Sequence, residues 1–320
     1  MRLVAPPASI LCYHSVTNAD LPSASGMHVP DHELTAAVDV VRRVAEIVPL
    51  RELVARHRAG RATRGLAAFT FDDAYAALPM AMGAYLARTG VPITIFVTTT
   101  ATERGARFWW DRVDDVFPRV ATDRWQAFER QVGVPESYRT GQPAEFGPLR
   151  PFRQWMLATH RGRWPEHLED ALAALEREHA SETRHRAMTW DEIVRFAASA
   201  PVDIGVHTVS HPVLPLLGDE ELVGEVAGAY RTIRERVGAA VPVLAIPFGL
   251  YDARTARLAR EAGMEASLTL ANRSLRGVGA DELLPRYSMG RGLRRWKLFL
   301  RLTIPRGAPP AQTALPSATT

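Results

Sequence analysis

At 320 residues the chain has material for one large domain or two ordinary ones, and its 47% hydrophobic and 23% charged content is that of a globular protein with a sizeable core. A formal charge of +4, carried almost wholly by arginine since Lys297 is the single lysine, is too mild and too spread out to support nucleic-acid binding. One cysteine, Cys12, excludes an internal disulfide and a multi-cysteine zinc site, and no apolar run approaches a bilayer span.

The first apolar piece is too short and too broken by proline for a secretory signal, so a cytoplasmic protein is expected. SILCYH reads as a first strand ending at His14, followed by a polar loop to about Pro30. ELTAAVDVVRRVAEIV and LRELVARHRAG carry apolar residues at helical spacing. LAAFTF is a strand, Tyr75 to Arg88 an alanine-rich helix closed by Gly90, and VPITIFV another strand. From about 101 to 185 the composition shifts to Trp, Arg and Glu with helical stretches, an insertion. MTWDEIVRFAASA opens on a capping box, Thr189 with Glu192. PVDIGV is a strand ending at His207, DEELVGEVAGAYRTIRERVG an amphipathic helix, and VPVLAIPFG a strand with a turn. DARTARLAREAG is helical, with Asp252 as its simplest cap, and EASLTL and ELLPRYS are the last strands. Strands alternating with helices predict parallel strands and right-handed crossovers.

The chemistry-bearing residues share an address. His14, Asp72 and Asp73, His207 and the turn Pro247-Phe248-Gly249 each follow the C-terminal end of an expected strand, where a β/α barrel gathers its catalytic groups. A buried strand ending in two acids needs a cation or a proton donor. One Asp could be a helix N-cap, which leaves the second unexplained. In HTVSH the i, i+4 spacing lets His207 and His211 face one way within a turn, and two His with one carboxylate leave coordination positions for water and substrate. Two histidines in a polar loop is the plain alternative. Adjacent acids point differently, so one can hold a metal while the other acts as a base. Their adjacency argues against a glycosidase, whose two carboxyls flank a sugar bond.

TFDDAY, HTVSH and PFGLYD resemble the motifs of the polysaccharide deacetylase family, the NodB-homology or carbohydrate esterase family four enzymes, over roughly 8–100 and 186–288. YHSV near the start resembles the permuted branch, in which the histidine motif lies N-terminal. The resemblance implies a deformed barrel of about seven parallel strands, residues 1–306, with the helical Trp-rich insertion, and the Pro, Ala, Ser and Thr composition of 307–320 predicts a disordered tail. It implies Asp72 as general base, Asp73, His207 and His211 as ligands of one divalent ion, and His14 as general acid. The backbone N–H of Phe248 is implied as an oxyanion donor. The ion expected first is zinc, with cobalt, nickel, manganese or iron also compatible. The implied reaction removes an N-acetyl group, or a related acyl group such as N-formyl or O-acetyl, from an amino-sugar saccharide. An acid and a base with separated pKa values predict activity that falls on both sides of a pH optimum.

Two positions depart from the family pattern. Ala74 stands where glycine is usual, costing about 1 kcal/mol if the position needs positive φ. Ala245 stands where an arginine usually orients the base; Arg286, at the end of LLPRY, can supply that charge, and a salt bridge at the core edge is its plainer role.

In the insertion Trp109, Trp110 and Asp111 are the expected substrate contacts, against a reading in which its five tryptophans only pack a helical subdomain. Cys12 and His14 share a strand face, but a small residue lining a barrel is the simpler account of Cys12. The remaining histidines, His28, His32, His57, His160, His167, His179 and His185, are expected to be solvated. RGLRRWKLFLRLTIPR, 291–306, is basic and amphipathic, either the barrel's closing helix or a peripheral membrane contact, the latter favoured by a lipid-linked substrate. Two rivals stay open: a non-haem iron oxygenase, which shares the two-His-one-carboxylate set, and an inactive sugar-binding relative.

Overall fold

The computed structural model describes residues 5–18, 26–140, 149–178 and 185–304; the expected tail at 307–320 and His179 lie outside them. Six strands follow one another around a ring in chain order, all parallel: β1 (Ser9–Tyr13), β2 (Leu66–Phe71), β3 (Ile93–Val97), β4 (Val202–Val206), β5 (Val243–Ala245) and β6 (Ala266–Thr269). The stretch Leu284–Ser288 nearly closes the ring. Its first half, β7 (Leu284–Pro285), pairs with β6, and its second half, β8 (Tyr287–Ser288), pairs with β1. The path therefore has eight strands where about seven were expected. One closing segment must face two different neighbours, and Pro285 has no N–H with which to continue a single ladder. A further two-residue strand, Glu46–Ile47, lies along β2.

Strand alternation divides the core. Ile10, Ala68, Phe96, Val243, Ala245 and Leu268 fill one apolar cluster, while Leu11, Phe69, Phe71, Ile95, Val206 and Leu244 fall in another with the helices. Small residues at Cys12, Ala68, Thr70 and Ala245 leave room for one large group, the guanidinium of Arg286, which is fully buried. Helices Asp31–Arg42, Leu50–Arg58, Ala77–Thr89, Trp190–Ser199, Asp219–Val237 and Thr255–Glu261 supply the outer layer. The capping box at Thr189 and Glu192 is present, and Asp252 accepts from the N–H groups of Arg254 and Thr255 at 3.0 Å. Among the described residues no helix is long and apolar enough to cross a membrane.

Some element boundaries differ from those expected. The first helix stops at Arg42, because Ile47 and Val48 turn back to pair with β2: Val48 N–H bonds the Ala67 carbonyl at 2.9 Å. The closing helix is confined to Arg295–Thr303, with Leu298 and Leu302 buried. Between Thr99 and Glu178 the described residues form five α-helices around an aromatic core of their own, including Trp109, Trp125, Phe128, Phe152 and Trp155.

Candidate active site and metal centre

At the end of β2 the ladder makes one last bond, Asp72 N–H to the Tyr13 carbonyl at 2.9 Å, and then breaks sharply. Asp73 (φ 68°) and Ala74 (φ 47°) both occupy the left-handed region, which costs L-residues about 1–2 kcal/mol each. The segment before Trp190 holds the turn: Met188 N–H bonds the Ala74 carbonyl at 2.8 Å, and Ala76 N–H bonds that of Arg186 at 2.9 Å. Ala74 thus takes the positive φ for which glycine is usual. Seven non-glycine residues have positive φ among the described residues, and five of them, Asp73, Ala74, Thr208, His211 and Phe248, belong to this rim. Strain concentrated in one place marks a site held in shape by its surroundings.

Asp73, His207 and His211 come together. Asp73 Oδ1 lies 3.5 Å from His207 Nε2 and 3.6 Å from His211 Nε2, and the two Nε2 atoms are 3.1 Å apart. His207 Nδ1–H donates to the Ala245 carbonyl at 2.7 Å, which leaves Nε2 with a lone pair facing inward. Burial draws both imidazoles towards the neutral form, and for His211 the neighbouring His207 adds to it. Burial, then Asp72 and Asp111, raise the Asp73 carboxyl. Asp73 Oδ1 has no hydrogen-bond partner although it is buried. A partnerless carboxylate oxygen converging with two imidazole nitrogens fits a cation. Ligand bonds of roughly 2.0–2.2 Å in a tetrahedral set put neighbouring donor atoms about 3.3–3.6 Å apart, close to the edges observed.

The loop carrying the two histidines is anchored by Glu225, from the helix Asp219–Val237. Its carboxylate accepts from Val209 N–H and Ser210 N–H, each at 2.9 Å, from Ser210 Oγ at 2.7 Å and from Arg163 at 2.8 Å. His211 N–H closes the turn on Thr208 Oγ1 at 3.0 Å.

Asp72 faces the other way. Both of its oxygens accept from Arg286, at 2.7 Å each, and Oδ2 also meets the Cys12 thiol at 3.4 Å. Burial would raise the Asp72 carboxyl, but Arg286 and His207 outweigh it and hold the group well below the usual carboxylate range. Burial pushes the Cys12 thiol up, so Cys12 is a buried donor and no nucleophile. Arg286 also lies 5.6 Å over the Phe96 ring. His14 is half-buried beside this pair; burial lowers its imidazole to about 4, against the opposing pull of Asp72. Side-chain ligand atoms of Cys12, His14 and Asp72 lie within 4.8 Å of one another, but a second cation there would compete with the guanidinium.

A cavity of about 170 Å³ opens over these groups, with His14, Asp72, Asp73, His207 and His211 at its base and Trp109, Trp110, Phe248 and Leu270 among its walls. The His211 ring sits 4.8 Å from Trp110 and 4.5 Å from Phe248. Phe248 (φ 57°) is seated against the insertion at Gly162, where a Cβ would fall 2.5 Å from its ring. Asp111 does not face the cavity: its oxygens take His28 Nε2 at 3.1 Å and Tyr75 OH at 2.6 Å, and Tyr75 OH in turn accepts from Trp110 at 3.0 Å. His28 and His185, expected in solvent, are both buried and stack at 3.5 Å. Burial of Asp111 beneath Trp110 demands donors, and His28 with Tyr75 supplies them. Nothing in the local sequence marks His28 or His185. Glu225 did leave a signal, as an acid within the apolar stripe of Leu222, Val226 and Ala229.

Comparison with known families gives one match: the model described as polysaccharide deacetylase matches residues 159–267, the part that carries His207 and His211. The match spans about a third of the chain, and over that stretch the chain is similar to polysaccharide deacetylases. A search of the curated proteins returned no match. Among solved structures, the Streptococcus pyogenes deacetylase PplD in complex with acetate is similar at TM-score 0.58 and 12% identity, over 93% of this chain and 99% of that one. IcaB from Ammonifex degensii is similar at 0.56 and 18%, over 95% and 100%. BC0361, a polysaccharide deacetylase from Bacillus cereus, is similar at 0.57 and 11%, over 93% and 69%. At these identities the structural likeness speaks to the fold alone, and it extends over nearly the whole chain.

Proposed function

We propose that the cavity receives the N-acyl group of an amino sugar within a saccharide, free or lipid-linked, and hydrolyses it to the amine and a carboxylate. Acetyl is the first candidate and formyl or O-linked acetyl the alternatives. The observation that carries this reading is the pairing of two unlike acids at one strand end: Asp73 turned to two imidazoles, Asp72 clamped by a buried arginine. Asp73, His207 and His211 would hold one divalent ion, zinc first among those the donors accept. Such an ion supplies a Lewis acid for the acyl oxygen and eases the loss of a proton from water.

The chain's own residues carry the rest. Asp72, kept ionised and fixed in direction by Arg286, takes the proton of the attacking water. The N–H of Phe248, on a turn set by its positive φ, donates to the acyl oxygen as negative charge develops there. His14 protonates the departing nitrogen as the C–N bond breaks. Burial keeps its imidazole neutral at rest, so the proton it delivers is the one Asp72 took from water, passed on from the neighbouring carboxyl, which is left ionised again. Trp109, Trp110 and Phe248 offer aromatic faces to the sugar and exclude water. Arg286 takes over the orienting role that Ala245 cannot fill, which favours an active enzyme over a merely sugar-binding one.

The test is release of acetate from N-acetylglucosamine oligomers, with metal analysis of the purified protein. Asp72→Asn should lower the rate by on the order of 10²–10⁴ while metal content stays. His207→Ala with His211→Ala should abolish both, and equal metal in that variant and the parent sinks the ligand assignment.

A further inference from the structure

We propose that the closing helix, Arg295–Thr303, with its flanks docks the protein on an anionic lipid surface. The helix has two apolar sides. Leu298 and Leu302 are buried against the protein, but Trp296 (56% exposed), Phe299 (38%) and, just past the helix, Ile304 (53%) point outward. On a period of 3.6 residues Trp296, Phe299, Leu300 and Thr303 share one stripe, roughly opposite Leu298 and Leu302. Trp296 is the one tryptophan of seven in the exposed class; the others are buried or half-buried.

Charge decides the occupant. From Gly290 to Ile304 the chain has five basic residues, Arg291, Arg294, Arg295, Lys297 and Arg301, and no acidic one. Lys297, the only lysine, stands 5.6 Å over the Trp296 ring. Arg295 makes a long pair with Asp39, 3.7 Å, with both side chains more than half exposed. An outward aromatic stripe flanked by cations matches the interface between headgroups and acyl chains, where aromatics insert and basic groups meet phosphate. A protein partner or a second copy would need matching acids. Beside the helix a cleft of about 340 Å³ has an apolar floor that includes Tyr13, Ala37 and Leu298, with Arg294 and Arg295 at its edge and Glu33 among its lining. Tyr13 precedes His14, and the helix follows the end of β8, so the surface adjoins the catalytic rim.

The experiment is co-sedimentation of the full chain with vesicles rich in phosphatidylglycerol, against vesicles of phosphatidylcholine alone, at low and high salt. Binding should be at least about tenfold stronger to the anionic vesicles and weaken with salt. Trp emission should shift to the blue on binding, and Trp296→Phe should remove that shift. Trp296→Ser with Phe299→Ser, and separately Arg294→Glu with Lys297→Glu, should each lose about tenfold or more in binding. Melting temperature and acetate release from a soluble oligomer should be unchanged in both. Equal binding to both vesicle types, or undiminished binding by both double variants, overturns the proposal. Binding of soluble dextran sulfate without vesicle binding overturns it too, as does self-association lost in Trp296→Ser with Phe299→Ser without vesicle binding. The vesicle-binding, fluorescence and self-association readouts do not depend on the hydrolytic reading.

Discussion

A guanidinium buried inside a barrel is tolerable only if its charge and donors are met, and Arg286 meets Asp72 through two bonds of 2.7 Å. Arg286→Leu leaves Asp72 buried beside no cation; we expect a loss of about 3–5 kcal/mol in stability and a fall in kcat larger than any change in KM. Arg286→Lys keeps the charge without the fork, so it should recover stability more than rate. Full activity in the leucine variant would remove Arg286 from the mechanism. His14 gives a pH prediction. Its folded value, about 4, lies below the unfolded 6.5, so the unfolded chain binds more protons between those limits. Stability is then lost as pH falls from about 6.5 to about 4, by up to roughly 3 kcal/mol. In chelator, urea midpoints of His14→Gln should show a shallower slope than the parent over that window; parallel slopes would refute the assignment. Asp72, Asp73, His207 and His211 were legible in the sequence because residue type and strand-end position coincide. His28 and His185 were not, since their burial depends on Asp111, distant in sequence.

At the scale of elements, the ligand loop 207–211 borrows its shape from another element. Glu225 anchors Val209 and Ser210 from the helix Asp219–Val237, and Arg163 of the insertion completes the cluster at 2.8 Å. Glu225→Ala should leave the barrel folded but loosen the two imidazoles, costing about 10–100-fold in metal affinity, with Glu225→Gln intermediate. Competition with a chromophoric chelator measures this, and an unchanged affinity would reduce Glu225 to a packing role. The strand and helix order was readable because burial imposes period 2 or 3.6 on the chain. The break at Arg286 was not, since it arises from a change of strand partner at ring closure. The early end of the first helix at Arg42 has a similar cause: pairing of Glu46–Ile47 with β2 overrides a helical pattern.

For the whole molecule, ring closure gathers what the chain separates. Asp73 stands at the end of β2 and the two imidazoles beyond β4, with a strand between them, so a cation joining the three would tie non-neighbouring strands. An unfolded chain scatters these donors, hence binding is linked to folding. At free metal one hundred times its dissociation constant the folded state gains about 2.7 kcal/mol, a rise of about 5 °C in melting temperature for a chain of this size. Stripping the protein with chelator should lower the melting temperature by that amount and restoring zinc should recover it. His207→Ala with His211→Ala should melt at one temperature whether or not zinc is present. Asp72→Asn separates the two acids: because Asp72 faces Arg286 and not the imidazoles, that variant should keep the zinc-dependent shift while losing activity. A zinc shift that disappears in Asp72→Asn, or persists in the double histidine variant, would place the ion elsewhere on the rim.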